Sequence, residues 1–278
     1  MSTDFALRLR LARLHRHGQS GLFVVPLDHS VTDGPTSATP KARNALLGAL
    51  SGSGVDAIVL HKGSLRHLDH RCFQNTSLIV HLSASTRHAA DPDAKYLVTT
   101  IEEAVRRGAD AVSVHVNLGS LSEAAQVADL GAVANLCDQW RMPLLAMVYP
   151  RGPAIADSRD AKIIAHAATL AADLGADIVK VPYAGTPTGM AEVVRSCPVP
   201  VIVAGGPRLA QSEEVLAYVD EVLSAGVAGL AMGRNIFEAP DPGALAREIA
   251  GRVHAIWSRS DSTGPALRAV DGGVWARG

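Results

Sequence analysis

A chain of 278 residues with 26 Lys plus Arg against 27 Asp plus Glu carries a formal charge of -1, so it lacks the basic footprint that a phosphate backbone requires, and nucleic acid is excluded as the expected partner. With 47% apolar and 19% charged residues it can bury a core, built from aliphatic side chains because aromatics supply only 4%. Its longest apolar runs, Leu22 to Leu27 and Leu144 to Val148, fall far short of the ~20 residues that span a bilayer, so no membrane partner is expected.

Residues 1–20 form the first segment, where Arg8, Arg10, Arg13 and Arg16 are interleaved with Leu7, Leu9, Leu11 and Leu14. This reads as an amphipathic helix that covers either a barrel end or a subunit contact; no small-residue cleavage site makes it a transit peptide. Cys72, Cys137 and Cys197 are odd in number, far apart and without a CxxC, which points to neither a disulfide framework nor a thiolate metal site. A cytoplasmic setting is the expectation.

A repeated punctuation follows. Gly54-Val-Asp-Ala-Ile-Val-Leu60, Gly108-Ala-Asp-Ala-Val-Ser-Val114, Gly175-Ala-Asp-Ile-Val-Lys-Val181 and Gly226-Val-Ala-Gly-Leu-Ala-Met232 each set a glycine after a helical stretch and before a short apolar run. Leu22 to Leu27, Leu78 to Leu82, Leu144 to Val148 and Val199 to Ala204 supply four more strands, and Ile101 to Arg107, Ile163 to Leu174 and Glu213 to Leu223 carry helical periodicity. Eight nearly all-apolar strands alternating with helices predict an α/β fold, a single (β/α)8 TIM barrel over residues 21–257, with the N-terminal helix before it and a C-terminal tail, 258–278, after it. The tail is either loose or an oligomer-contact arm. A doubly wound open sheet competes, but it ordinarily shows a Gly-rich turn after its first strand, where this chain has Asp28-His29.

In such a barrel the chemistry sits at the C-terminal strand ends, which narrows the search. Of five lysines, Lys41 and Lys162 fall in helices and Lys95 in a loop, leaving Lys62 and Lys180 at the barrel mouth. Alternation puts Lys180 on the face of the sixth strand that it shares with Ile178. If that face points inward, the amine stands in a dry cavity that disfavours its charged form, and a neutral amine is what attack on a ketone requires. The alternative is a structural lysine paired with a rim carboxylate. Tyr149, on one face with Leu145 and Met147, stands beside that strand and can exchange a proton with a reacting oxygen, whereas Asp28, at the end of the first strand, can move a proton during dehydration of a carbinolamine. Taken singly, such a phenol is more often a packing residue and such a carboxylate more often a loop cap.

The seventh and eighth strands end in Ala204-Gly-Gly-Pro207 and Met232-Gly-Arg-Asn235. Gly205, Gly206, Gly233 and Arg234 read either as a phosphate cradle or as two tight turns. His61, His81 and His115 lie at strand ends and His67-x-x-His70 in a loop, but without HxH or HExxH no metal and no other cofactor is expected.

Several of these stretches, Val25-Pro-Leu-Asp-His-Ser-Val-Thr-Asp-Gly-Pro35, Leu60-His-Lys-Gly63, Ser113-Val-His-Val-Asn117, Ala146-Met-Val-Tyr-Pro-Arg-Gly152, Asp177-Ile-Val-Lys180, Val203-Ala-Gly-Gly-Pro207 and Gly233-Arg-Asn-Ile-Phe237, resemble the archaeal-type class I aldolase family, and in it the heptulosonate-synthase branch with its antibiotic-pathway relatives. The resemblance runs from about residue 20 to 255. It implies Lys180 as the Schiff-base lysine, Tyr149 as proton donor and Asp28 as proton-transferring carboxylate. His29, Asp33, Arg151, Gly205, Gly206, Gly233 and Arg234 would contact substrate. It further implies a homo-oligomeric ring such as a decamer, no metal, and phosphorylated ketose and aldehyde substrates. Met147 replaces the Trp usual in fructose-bisphosphate aldolases of this type, which implies aspartate semialdehyde as acceptor. Dihydroxyacetone phosphate and a deoxyketohexose phosphate are the two donors; Val181-Pro-Tyr-Ala-Gly-Thr-Pro187 and Ser83-Ala-Ser-Thr86 depart from the shikimate-route pattern and lean toward the former. A phosphosugar-binding barrel without catalysis is the non-enzymatic alternative, against which stands the presence of Lys180, Tyr149 and Asp28 together.

Overall fold

The computed structural model describes residues 5–17, 21–35, 39–255, 267–270 and 274–277. In chain order the strands are β1 (Leu22–Pro26), β2 (Ala57–Leu60), β3 (Ser77–His81), β4 (Ser83–Ala84), β5 (Tyr96–Leu97), β6 (Ala111–Leu118), β7 (Leu144–Pro150), β8 (Ile178–Val181), β9 (Val201–Ala204), β10 (Gly229–Ala231), β11 (Leu267–Val270) and β12 (Val274–Arg277). Eight of them, all parallel to their neighbours, close a barrel in the order β1-β10-β9-β8-β7-β6-β3-β2. The pair β4 and β5 makes a small antiparallel ribbon at the mouth, and β11 pairs antiparallel with β12. The remainder of the predicted tail lies outside the described residues.

The helices are α1 (Phe5–Leu14), α2 (His29–Asp33), α3 (Pro40–Ser51), α4 (Ile101–Arg106), α5 (Glu123–Trp140), α6 (Ala161–Asp173), α7 (Pro187–Ser196), α8 (Ser212–Ser224), α9 (Arg234–Phe237) and α10 (Pro242–Ala255). One expectation fails: strands and helices do not alternate throughout, because β2 and β3 are joined by two single 3-10 turns, Ser64–His67 and His70–Phe73. The cause is local. The Asp69 carboxylate accepts a hydrogen bond from the Arg71 backbone N–H, and Asn44 of α3 fixes the same loop by accepting from Asp69 N, so short polar side chains outbid the helical ladder.

The repeated Gly-x-Asp has a structural meaning. Gly54, Gly108 and Gly175 take φ of 78°, 77° and 104°, which terminates the preceding helix in a conformation open to glycine. Two residues on, each Asp accepts from the first or second backbone N–H of the preceding barrel strand: Asp56 from Phe23 (2.7 Å), Asp110 from Leu78 (3.0 Å) and Asp177 from Leu144 (2.8 Å). Three carboxylates thus pin strand starts at the closed end of the barrel. The fourth repeat has Ala228 instead, and its backbone N–H bonds Val201 O directly at 2.8 Å.

Two apolar layers result. Phe23, Ile58, Val112, Val179 and Val203 pack outward against the helices, while Leu22, Val24, Val59, Ile79, Leu145, Met147 and Ile178 fill the barrel. Leu11 and Leu14 of α1 join the inner set, so the first helix plugs the N-terminal end of the barrel. Full burial of a leucine such as Leu14 contributes about 1.5–3 kcal/mol to that plug. Arg16 secures it from outside, donating to Gln74 O at 2.8 Å and Ser77 Oγ at 3.2 Å.

Candidate functional site

At the opposite, C-terminal end the strands open into a cavity of about 740 Å3. Asp28, His29, Asp33, Tyr149, Arg151, Lys180, Gly205, Gly206, Gly233 and Arg234 all line it, so the ten residues to which the resemblance assigns a role reach the same space. The parity of β8 is inward for Ile178 and Lys180, and Met147 of β7 is the registered neighbour of Lys180.

Lys180 is 6% exposed, with Nζ 3.9 Å from Met147 Sδ and 5.9 Å from the centroid of the Tyr149 ring. Among the described residues no carboxylate lies within ion-pair distance of it, which removes the structural-lysine alternative of a rim salt bridge. Tyr149 is wedged between His115, at 4.9 Å between centroids, and the Arg151 guanidinium, at 5.7 Å.

Asp28 stands just beyond β1. Its carboxylate is 3.7 Å from His81 Nε2 on one side and 3.7 Å from His29 Nδ1 on the other. Burial alone would raise this carboxyl, but His81, His29, Lys180 and His61 around it bring it down to about 2. His81 itself is pushed down to about 4 by burial, against the pull of Asp28. At neutral pH the His81 imidazole is therefore uncharged beside an ionised Asp28.

The glycines of the β9 and β10 ends are there for close approach. A Cβ on Gly233 would fall 2.7 Å from both Pro26 O and the His29 ring, and one on Gly205 would fall 2.9 Å from Met232 Cα. Gly205 differs from the expectation in one respect: its N–H is already bonded to Ala231 O at 2.9 Å and is not free for an anion. Gly206, at φ 67°, lies against the Tyr218 ring. Asn235 ties the two loops together, accepting from Leu209 N at 2.8 Å and donating to Gly205 O and Pro207 O at 3.0 Å each.

Two lysines exchange places relative to the sequence reading. Lys62 does not enter the cavity; its Nζ bonds Val98 O at 2.7 Å. Lys95, read as a loop residue, lines the cavity and is 9% exposed, with Nζ donating to Ser85 Oγ. No periodicity marks the stretch between β4 and β5, so only three-dimensional closure brings Lys95 inward. Tyr183, Tyr218 and Arg159 were likewise without a sequence signal, being set beyond strand ends or on a helix. Of the histidines, His61, His81 and His115 line the cavity, while His67 and His70 stay in the β2–β3 turns. Among the described residues no three His, Cys, Asp or Glu side chains are grouped to hold a metal ion.

Comparison with known proteins places the geometry in context. The model of the DeoC/LacD family aldolases matches residues 22–239. A Streptomyces griseus protein named 2-amino-4,5-dihydroxy-6-oxo-7-(phosphonooxy)heptanoate synthase is 57% identical over 269 residues, covering 97% of this chain and 98% of its own. The Archaeoglobus fulgidus 2-amino-3,7-dideoxy-D-threo-hept-6-ulosonate synthase 1 is 38% identical, over 89% of this chain and 90% of its own. Among solved structures, a Schiff-base-forming fructose-1,6-bisphosphate aldolase superposes with a TM-score of 0.80 at 28% identity, over 89% of this chain and 99% of its own. An archaeal fructose-1,6-bisphosphate aldolase whose catalytic Lys is covalently bound to the carbinolamine intermediate superposes at 0.79, also at 28% identity, over 89% of this chain and 99% of its own.

Proposed function

Because the chain belongs to the DeoC/LacD family of aldolases, we propose that it is a class I, Schiff-base enzyme that condenses dihydroxyacetone phosphate with L-aspartate 4-semialdehyde. The observation that carries this reading is the buried, carboxylate-free Nζ of Lys180, in one cavity with Tyr149, Asp28 and the two glycine loops. The names of the relatives then select substrates by bond disconnection. A 4,5-dihydroxy-6-oxo-7-phosphonooxy chain divides at the bond between carbons 4 and 5, leaving a three-carbon phosphorylated dihydroxyketone and a four-carbon 2-amino-4-oxo acid. The archaeal name, with carbon 7 deoxygenated, lacks that phosphate. The higher identity to the Streptomyces relative favours dihydroxyacetone phosphate as the donor.

The chemistry follows from the neighbours. Lys180 Nζ adds to the donor ketone, and the carbinolamine loses water as Asp28, with His81 beside it, relays a proton to the departing oxygen. Removal of a proton from the hydroxymethyl carbon gives the enamine. That carbon attacks the aldehyde, the new alkoxide takes up a proton from Tyr149, and water hydrolyses the imine, so the water lost at the start is returned and one carbon–carbon bond is gained. Gly206, Gly233 and Arg234 with the first N–H groups of α9 would hold the phosphate, at the strand ends where barrels commonly bind one. His29, Asp33, Gly205 and Arg151 complete the substrate contacts. The reading includes a single barrel unit over 21–257, a cytoplasmic homo-oligomer and a reaction insensitive to chelator.

The test is intact mass after dihydroxyacetone phosphate and borohydride, beside Lys180→Ala, with aspartate semialdehyde turnover in parallel. The expected result is an adduct lost in the variant and turnover without a hexose donor. An unmodified mass sinks the reading for this donor. An adduct formed only with a deoxyketohexose phosphate selects the archaeal type of reaction instead.

A further inference from the structure

The cavity holds more positive charge than the donor and the imine use. Four cations line it: Lys180, Arg234, Arg151 and Lys95, besides Arg159 at the rim. Lys180 is consumed by the imine and Arg234 lies with the phosphate loops. Lys95 and Arg151 remain, and they stand on another part of the wall. In the closed barrel the β9/β10 junction is directly across from the β6/β3 junction. Lys95 follows β3 in the loop that rises over β6, and Arg151 follows β7.

Lys95 is a buried ammonium whose partner is one hydroxyl, Ser85 Oγ, itself donating to Pro92 O at 3.1 Å. Asp28, Asp93 and Asp33 act on it only from beyond ion-pair distance, and Asp33 is bonded to Arg87 at 2.7 Å. Burial first, and the Arg151 charge second, push the Lys95 ammonium below its usual range. Lys95 is thus buried against a single hydroxyl with the Arg151 charge acting on it, and an incoming anion would relieve both. The loop that carries Lys95 is fixed before substrate arrives. Asp93 O accepts from Asn117 Nδ2 at 2.8 Å and from Gln126 Nε2 at 3.1 Å, and Gln126 Oε1 accepts from Asn117 N at 2.8 Å.

A donor with its phosphate at β9/β10 and its carbonyl carbon on Lys180 turns its third, nucleophilic carbon away from the phosphate, toward this opposite wall. The aldehyde that it attacks must lie there. We infer that Lys95 and Arg151 bind the carboxylate of the acceptor and so select a short carboxylated aldehyde over a neutral or cationic one. The inference rests on the condensation proposed above. It makes Lys95 a specificity residue in direct contact with substrate, at a position the sequence left in a loop.

The test compares aspartate semialdehyde with 3-aminopropanal, the same aldehyde without its carboxylate, as acceptors for dihydroxyacetone phosphate. In Lys95→Met the ratio of kcat/KM for the two acceptors is expected to fall about 30-fold or more, with Lys95→Arg restoring most of it. Borohydride trapping of the donor on Lys180 reports folding and imine formation separately, before any acceptor is added. Arg151→Met, at the exposed rim, is the second variant and is expected to lower the same ratio. An unchanged ratio in both variants, with trapping intact, overturns the inference while leaving the aldolase reading standing. Absence of a trapped donor in the unsubstituted protein overturns both.

Discussion

His81 holds Nε2 3.7 Å from Asp28 Oδ2 while its Nδ1 meets Ser113 Oγ at 2.8 Å, so one buried ring is fixed between a carboxylate and a hydroxyl of the neighbouring strand. The pair joins β3 to the end of β1 across the cavity floor. Its protonation is therefore tied both to the chemistry and to the stability of the barrel.

That linkage predicts an acid-sensitive fold. In the unfolded chain His81 protonates near 6.5, but in the fold only near 4, so the unfolded state binds the extra proton between those values and stability falls as pH falls through that window. His115, His61, His29 and His15 are displaced in the same direction, each chiefly by burial. Asp28, held at about 2, adds a further loss only below about pH 4. The His81 shift alone is worth on the order of 3 kcal/mol. Urea midpoints at pH 7, 5.5 and 4.5 are expected to decline steadily, and less steeply in His81→Asn; parallel declines in the two proteins would exclude His81 as a source.

Kinetic separation is expected among the three central residues. Lys180→Ala abolishes both the trapped adduct and turnover. Tyr149→Phe retains the adduct but lowers kcat by about 10²–10⁴, the usual worth of a positioned proton donor. Asp28→Asn is expected to slow formation of the adduct itself, because the neutral amide cannot take up a proton during dehydration. Rapid-quench trapping with borohydride distinguishes the last two, and a Tyr149→Phe protein with wild-type turnover removes the phenol from the mechanism.

Much of this arrangement is legible in the chain. Glycine followed by a short apolar run marks strand starts, and parity on β8 is enough to put Lys180 on one face with Ile178, the face that the closed barrel turns inward. What escapes is whatever depends on closure. Lys95 and Arg159 sit in irregular segments whose direction is set by distant hydrogen bonds, such as those from Asn117 and Gln126 to Asp93 O. Lys62 shows the converse: its position at a strand end is correct, but the Val98 carbonyl draws it away from the cavity. The missing helix after β2 reflects the same competition, with Asp69 and Asn44 satisfying backbone groups that a helix would otherwise use.

The three strand-start carboxylates are expected to respond to substitution with opposite signs. Asp56 is fully buried and serves Phe23 N and His254 Nε2, at 2.7 and 2.9 Å; Asp56→Ala removes the acceptor from both and costs about 2–4 kcal/mol. Asp177 is pushed up to about 6 by burial, so near neutral pH its charge opposes folding, and the fold gains relative stability as pH falls from 6 toward 3.8. In Asp177→Asn the amide oxygen still accepts from Leu144 N without that charge. Denaturation midpoints at pH 7 are expected to drop for Asp56→Ala and to hold or rise for Asp177→Asn, with the advantage shrinking at pH 5. A loss at both positions would mean that the carboxylates act by charge rather than as hydrogen-bond acceptors.

Asn235 offers a way to separate the phosphate loops from the reacting centre. Its amide makes three bonds that hold the β9 loop on the β10 loop, so Asn235→Ala leaves Leu209 N, Gly205 O and Pro207 O without that partner and lets the glycines drift apart. Gly233→Ala perturbs the same loops differently, by driving a methyl group against Pro26 O and the His29 ring, an overpacking of about 1–3 kcal/mol. Neither change touches Lys180, Met147 or Tyr149. Both are expected to raise KM for dihydroxyacetone phosphate about 10-fold or more, with a much smaller effect on the KM of the aldehyde. Inorganic phosphate should lose potency as an inhibitor in parallel. Equal effects on the two substrates would locate the phosphate elsewhere in the cavity, and would shift attention to Arg151 and Lys95 on the facing wall.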